Sequence, residues 1–527
     1  MDTKKLYSYE ADWRQFAFPE DQFHLASVQE LLEKYSTFEL TPDIELPAGG
    51  MPILSDGHTV TINLENEMTL IYGEPGSKKS RVLISVLLAI LALAGESMII
   101  PDIKGELSTG ILAPKIMGIL KKKGYNIRVI NFRTLDGDGF DLLGNAFEEY
   151  KKGNREEAMV QLHNIIDALG KFYKGSSSDP IWEKSAKEIL MAISILMCEI
   201  CEDPEKINLL SLASYTSKES CNNLERIEQM LDQNNNTLVM LRSILSEPEK
   251  TKMSTLATVS SFFSDFIINE RLLKMLSTTT FRLEELYQEK TALFLVLPEE
   301  VETYNSVAGL IFSQISSFLV AKAYEHGGQL PRRVNYVCDE FCNYYIPGMG
   351  RNISAHRSRN IRWYLVCQSR KQLETSYPRE FGTILSNCKN IYFMGSPDIE
   401  LMEELSERAG YTNISEDGTP QRLISVGDLR QIKKGWEYSE VYYTSGALTC
   451  VSVLPDIDKY DFLNKFTEHV SLPFYQYKGL KMYTSEEMLK DVYSMNRAFH
   501  KKTSGGQILL ENEQTMADRY EKLFQNN

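Results

Sequence analysis

The sequence predicts an α/β fold: a mostly parallel sheet flanked by helices, with an inserted all-α domain. Three observations carry that expectation. Seven short apolar runs, at 68–72, 97–101, 126–132, 292–297, 334–338, 363–367 and 391–394, read as strands buried on both faces. Helical stretches separate several of them, as a doubly wound sheet requires. Between Glu148 and Glu289 the strand pattern stops and helix-period stretches take over.

In chain order, residues 1–60 are a mixed, polar N-terminal extension in which Pro47, Gly49 and Gly50 mark a loop. The sheet domain is expected over 61–147 and 290–470, and the all-α insertion over 148–289. Within the insertion, helices are expected at 156–172, 180–201, 218–231 and 249–267. Asp179 and Pro180 supply an N-cap and first helical position for the second of these, and residues 175–178 a flexible joint. Runs at 438–444 and 447–454 flank Ser445-Gly446, a hairpin signal that belongs at a sheet edge. Residues 471–527 read as a helical, partly disordered tail, polar and poorly ordered from about 498.

Composition narrows the function classes. A chain of 527 residues exceeds what one hydrophobic core usually supports. The net charge of −15 excludes a generally basic nucleic-acid glove, so any contact with DNA is confined to a local patch. The eight cysteines sit mostly in apolar runs and no secretory leader occupies residues 1–10. That pattern suits reduced thiols in a cytoplasm. Cys198 and Cys201 form a CxxC inside a helical run, with no second pair nearby, and read as helix packing rather than a zinc site. No segment reaches the 18–20 apolar residues that span a bilayer; the longest, 82–95, is better explained as a core helix.

That helix follows the clearest motif. The run 68–72 leads into Gly73-Glu-Pro-Gly-Ser-Lys-Lys-Ser80, so strand, glycine-bearing loop and helix occur in the order of a phosphate-binding loop. In such a loop, backbone N–H groups and the helix N-terminus face the phosphates, a lysine neutralises charge and a hydroxyl holds magnesium. Gly73, Gly76, Ser77, Lys78, Lys79, Ser80 and Arg81 form the expected cofactor-binding set, for ATP and Mg2+, with Ser80 as a metal ligand. The motif G-x-x-x-x-G-K-[ST] wants glycine where this chain has Lys78: a side chain there crowds the approach of backbone to phosphate, a second ammonium beside the phosphates favours binding, and a lysine-bearing turn that binds no nucleotide is the third reading.

The strand 334–338 ends in Asp339-Glu340, an acidic pair suited to magnesium (Asp339) and to polarising a water (Glu340). The next strand ends in Gln368, which can sense a phosphate or cap the strand. Between them, residues 351–371 hold six Arg or Lys and no acid. An arginine finger (Arg357 or Arg359), a phosphate-binding rim and a solvated basic surface all fit that excess.

Taken in order, these residues resemble the type IV secretion coupling proteins, the conjugative DNA-transfer ATPases. Asp102-Ile-Lys104-Gly-Glu-Leu107 is similar to the family's D-P-K-G-E-L, with Ile103 replacing proline. Phe140-Asp-Leu-Leu143, Asp339-Glu-Phe341, Arg357-Ser-Arg-Asn-Ile361, Gln368-Ser369, Asn387-Cys388 and Phe393-Met-Gly-Ser396 continue the likeness over roughly 65–460. The resemblance implies a RecA-like P-loop nucleotide-binding domain, with Asp102 and Lys104 in the nucleotide site and Glu340, Gln368, Arg357 and Arg359 catalytic. It also implies a homo-hexamer that forms in assembly, a channel for single-stranded DNA, and contacts with relaxase and type IV secretion channel components. Family members usually begin with transmembrane helices. None precedes Gly73, so a cytoplasmic protein is expected, either attached at the inner face of the membrane through a partner or a soluble variant acting elsewhere. The function implied is an ATP-driven motor. A hydrolysis-poor adaptor that gathers substrate through the all-α domain is the alternative, and a hexameric DNA pump of the FtsK/HerA type a more distant one.

Overall fold

A computed structural model describes residues 24–172, 180–231, 236–411, 421–467, 469–472 and 474–503. The chain divides into two compact units, Met1–Gly137 with Phe281–Phe474, and Asp138–Thr280 with Tyr475–Asn527. The sequence reading instead sets the insertion at 148–289 and separates the tail from 471.

Among the described residues, the first element of the first unit is a helix, Val28–Lys34, started by a capping box in which Ser27 and Glu30 satisfy each other's backbone donors. Strands β1 (Ser36–Glu39), β2 (Pro52–Ser55) and β3 (Thr59–Ile62) follow as a small antiparallel sheet in the order β1-β3-β2. None of this was legible among the polar residues of the extension.

The main sheet has nine strands: β4 (Met68–Tyr72), β5 (Ser97–Asp102), β6 (Asn126–Asn131), β7 (Thr291–Val296), β8 (Val334–Cys338), β9 (Ile361–Cys367), β10 (Cys388–Phe393), β11 (Tyr438–Ser445) and β12 (Leu448–Pro455). Their order is β12-β11-β10-β4-β9-β8-β5-β7-β6. Strands β4 to β10 are parallel and correspond to the seven apolar runs. The hairpin β11–β12 pairs antiparallel at the edge, as its turn signal suggested. Helices cover the sheet. In Ser85–Leu93, behind the glycine-bearing loop, all nine residues are buried, which explains an apolar run without a polar face.

Strand β9 begins two residues before the apolar run because it contains a buried charge. Arg362 donates to Glu96 (2.9 Å), Asn335 Oδ1 (2.9 Å) and the Glu65 carbonyl (3.1 Å). Glu96 also accepts from Arg333 (3.3 Å), Asn335 Nδ2 (2.9 Å) and the Gly49 N–H (2.9 Å). Arg362 therefore belongs to a core network and not to the basic surface in which its sequence neighbours place it.

Among the described residues one helical span, Tyr304–Glu325, is long and apolar enough to cross a membrane, which the sequence reading missed, and 72% of its apolar 18-residue window is buried within the protein. Asn305, Ser306, Ser313 and Gln314 interrupt its apolar run.

The second unit is helical: Gly144–Lys151, Arg155–Phe172, Pro180–Ile200, Leu209–Ala213, Lys218–Met230, Asn236–Leu245, Glu249–Ile268, Glu270–Met275 and Ser485–Thr503. Cys198 and Cys201 are buried at the end of the third of these. The last helix runs past 498 and docks on the others: Asn223 Nδ2 donates to Ser485 Oγ (3.1 Å), and Asn496 Nδ2 to the Met230 carbonyl (2.8 Å). Asp179, the 175–178 joint and the tail beyond 503 lie outside the described residues.

Candidate functional site

In a parallel sheet all strands end on one edge, and adjacent strands that lead into loops there build the usual crevice for ligands. Here β4, β9, β8 and β5 are consecutive neighbours. They deliver the 73–80 loop, Gln368, Asp339 with Glu340, and Asp102 respectively.

The 73–80 loop leaves β4 under tight steric control. A Cβ on Gly73 would sit 2.6 Å from Lys79 Cδ and from Ser77 Oγ, so any other residue there displaces the Lys79 and Ser77 side chains. Gly76 takes φ +78° and Lys78 φ +66°. The left-handed backbone that a glycine would adopt freely is thus imposed on Lys78, at a cost of about 1–2 kcal/mol. Its ammonium donates to the Gly435 carbonyl (2.8 Å) and lies 4.6 Å from the centroid of the Trp436 ring. Lys79 is buried and donates to the carbonyls of Gly73 (2.6 Å) and Glu74 (3.1 Å). Burial holds its pKa below the ordinary lysine value. Ser77 Oγ is buried without a hydrogen-bond partner. The first turn after the loop, Ser80–Ile84, is wound as a π-turn.

Ser80 and Asp339 meet: Ser80 Oγ donates to Asp339 Oδ2 at 2.9 Å. Burial first, and then the charge of Glu340, raise the Asp339 pKa. Glu340 takes a left-handed φ of +50°, a strained conformation for a non-glycine residue, and accepts a hydrogen bond from Gln368 Nε2 at 3.0 Å. The Ser396 hydroxyl donates to the Gln368 carbonyl (3.0 Å). A small cavity is lined by Ser80, Asp102, Lys104, Glu106, Asp339 and Glu340.

Asp102 is buried and accepts from the Ser108 N–H (2.8 Å) and hydroxyl (2.6 Å), fixing the turn after β5. Lys104 is exposed, 3.6 Å from Glu299. Arg81 is held by Asp456 (2.8 and 2.5 Å) and Asp458 (2.6 Å) at the end of β12.

Arg357 and Arg359 are not brought to this edge. They precede β9, whereas Gln368 follows it, and seven strand residues at about 3.3 Å each separate the two ends. Arg357 is exposed, and Arg359 donates to the Ala355 carbonyl (2.5 Å). Sequence reasoning also missed the 433–437 loop that borders the site, where Lys434 pairs with Glu74. A tryptophan set among Lys433, Lys434, Gly435 and Glu437 was the available signal.

The family described as type IV secretory system conjugative DNA transfer matches residues 37–433. Among solved structures, the fold is similar to the bacterial conjugative coupling protein TrwBdeltaN70 in complex with sulphate, at 15% identity and TM-score 0.53, over 86% of this chain and 95% of that one. The plasmid coupling protein TrwB in complex with ADP and Mg2+ matches at 14% identity and TM-score 0.52, over 86% and 94%. The same protein with the ATP analogue ADPNP matches at 15% and 0.51, over 86% and 95%. At such identities the likeness is one of fold. A search of curated proteins finds no match. With three quarters of its length matched by one family, this chain belongs to the type IV secretory system conjugative DNA transfer family.

Proposed function

We propose that the chain is the ATP-driven motor of a type IV secretion system, recruiting substrate and moving single-stranded DNA, or a DNA–protein complex, to the export channel. The convergence of the 73–80 loop, the Ser80–Asp339 pair and the Glu340–Gln368 pair on one sheet edge carries this reading.

The residues present suit a magnesium-bound nucleotide. Ser77 Oγ is a buried orphan that a phosphate oxygen would satisfy. Ser80 Oγ and Asp339 Oδ2 are hard oxygens side by side, the donor type that holds Mg2+. The metal there would neutralise charge on the transferring phosphoryl group. Lys79 would exchange two backbone carbonyls for phosphate oxygens. Glu340 would orient the attacking water and take its proton, with Gln368 holding the carboxylate in place. Arg357 and Arg359, at the far edge, could act only on the nucleotide of a neighbouring subunit, an arrangement that a homo-hexamer would supply. The helical unit is the candidate surface for relaxase or relaxosome proteins. The expected location is the cytoplasm, at the inner face of the membrane through partners.

The test is ATP hydrolysis by the full chain, with and without single-stranded DNA. Wild type should hydrolyse ATP, and Glu340→Gln should lose about 10²–10⁴-fold while still binding ADP. Lys78, strained and tied to Gly435, is the observation that favours the adaptor alternative. A silent wild type, rescued by Lys78→Gly, would sink the motor reading and leave the adaptor.

A further inference from the structure

The phosphate loop is tied at three points to the ends of the edge hairpin. Glu74 pairs with Lys434, Lys78 donates to Gly435, and Arg81 is bidentate to Asp456. The first two ties hold the 433–437 loop, which is pinned from its other side by Gly435 N–H to the Tyr438 carbonyl (2.9 Å) and Glu440 N–H to the Lys433 carbonyl (2.9 Å). Strand β11 runs antiparallel to β10, with Phe393 opposite Tyr442. The loop that enters β11 at Tyr438 therefore stands at the edge where the parallel strands end, beside the phosphate loop.

The site has a direction. Asp339, Glu340 and Gln368 lie on the β9 and β8 side of β4, so the reacting end of a phosphate chain belongs there. The rest of a nucleotide bound that way would extend from the phosphate loop away from those acids, and the β10–β11 side carries the 433–437 loop. Trp436 on that loop is 90% exposed, with the Lys78 ammonium 4.6 Å from its ring centroid. An indole left in water, one side chain away from a phosphate loop, offers a flat apolar face to an aromatic ligand.

We infer that Trp436 is the platform on which the base of a purine nucleotide stacks, with Lys78 joining that platform to the phosphate loop. The inference rests on the nucleotide-site reading above. It gives the residue that replaces the motif glycine a role: its ammonium positions the indole instead of crowding the phosphates.

The experiment is calorimetric titration of the full chain with ADP and, separately, with tripolyphosphate, which has no base, each with Mg2+. In Trp436→Ala, ADP binding should weaken about tenfold, within the range of one base–aromatic stack, while tripolyphosphate binding is unchanged. Trp436→Phe should retain most of the ADP affinity. The residue is exposed, so the fold should survive; unchanged thermal unfolding checks this. Equal loss of both ligands would overturn the proposal and make Trp436 a prop for Lys78 alone. Unchanged ADP binding would overturn it as well. If wild type binds both ligands and Trp436→Ala binds ADP as tightly as wild type, only this inference fails. If wild type binds neither, the nucleotide site itself is refuted.

Discussion

The network around Glu96 gives the sharpest test of what holds the sheet together. Glu96 is 6% exposed and Arg362 1%. Removing one partner of a buried pair costs about 3–5 kcal/mol, because an uncompensated charge stays behind. The two removals are not equivalent here. Arg362→Met leaves Glu96 with Arg333, Asn335 and the Gly49 N–H, so the expected loss is at the lower end, about 3 kcal/mol. Glu96→Leu strands Arg362 and also orphans the Gly49 N–H, so about 5 kcal/mol is expected. In the double variant no stranded guanidinium remains at 362, and Arg333 keeps Asn360 Oδ1 (3.0 Å) and the Leu64 carbonyl (3.3 Å). The double loss should fall short of the sum of the single losses by about 2 kcal/mol. Urea unfolding followed by tryptophan emission would measure this, with the transition of the sheet unit analysed separately because two units need not unfold together. Arg362→Met costing as much as Glu96→Leu, or simple additivity, would refute the network argument.

Three further outcomes are expected. His356 is fully buried, accepts at Nδ1 from the Trp363 indole N–H (2.7 Å), and burial first, then Arg359, lowers its pKa to about 3. Between the unfolded value near 6.5 and about 3 the unfolded chain binds the extra proton. Stability should therefore fall as the pH is lowered from about 6.5 to about 3, by at most about 1.4 kcal/mol per unit, and His356→Asn should flatten that slope in pH-dependent thermal melts. Truncation after Phe474 removes Met488 and Val492, both fully buried in the helical unit, and should open that unit to limited proteolysis while leaving the sheet unit resistant. Gly73→Ala should abolish ADP binding in calorimetry, since the new Cβ meets Ser77 Oγ and Lys79 Cδ at 2.6 Å, while circular dichroism stays unchanged.

Patterns that are local in the chain were legible in the sequence. The seven parallel strands announce themselves as continuous apolar runs because helices cover both faces of the sheet. The edge hairpin shows through its Ser445-Gly446 turn, and Gly446 does take φ +64°. The order of loop, acidic pair and glutamine is likewise a property of the chain. Long-range pairing decided the rest. Arg362 looks like one member of a basic run until the sheet places Glu96 beside it, 266 residues away in sequence. The helix Ser485–Thr503 reads as tail because its apolar partners lie in the helical unit. The separation of Arg357 and Arg359 from Gln368 follows from the length of β9, which a buried arginine concealed. Lys78 stood out in the sequence as a departure from a motif. Only the fold brings Gly435 and Trp436 against it, because that contact joins segments 357 residues apart, and no local pattern encodes which loop will border the phosphate-binding edge of a sheet.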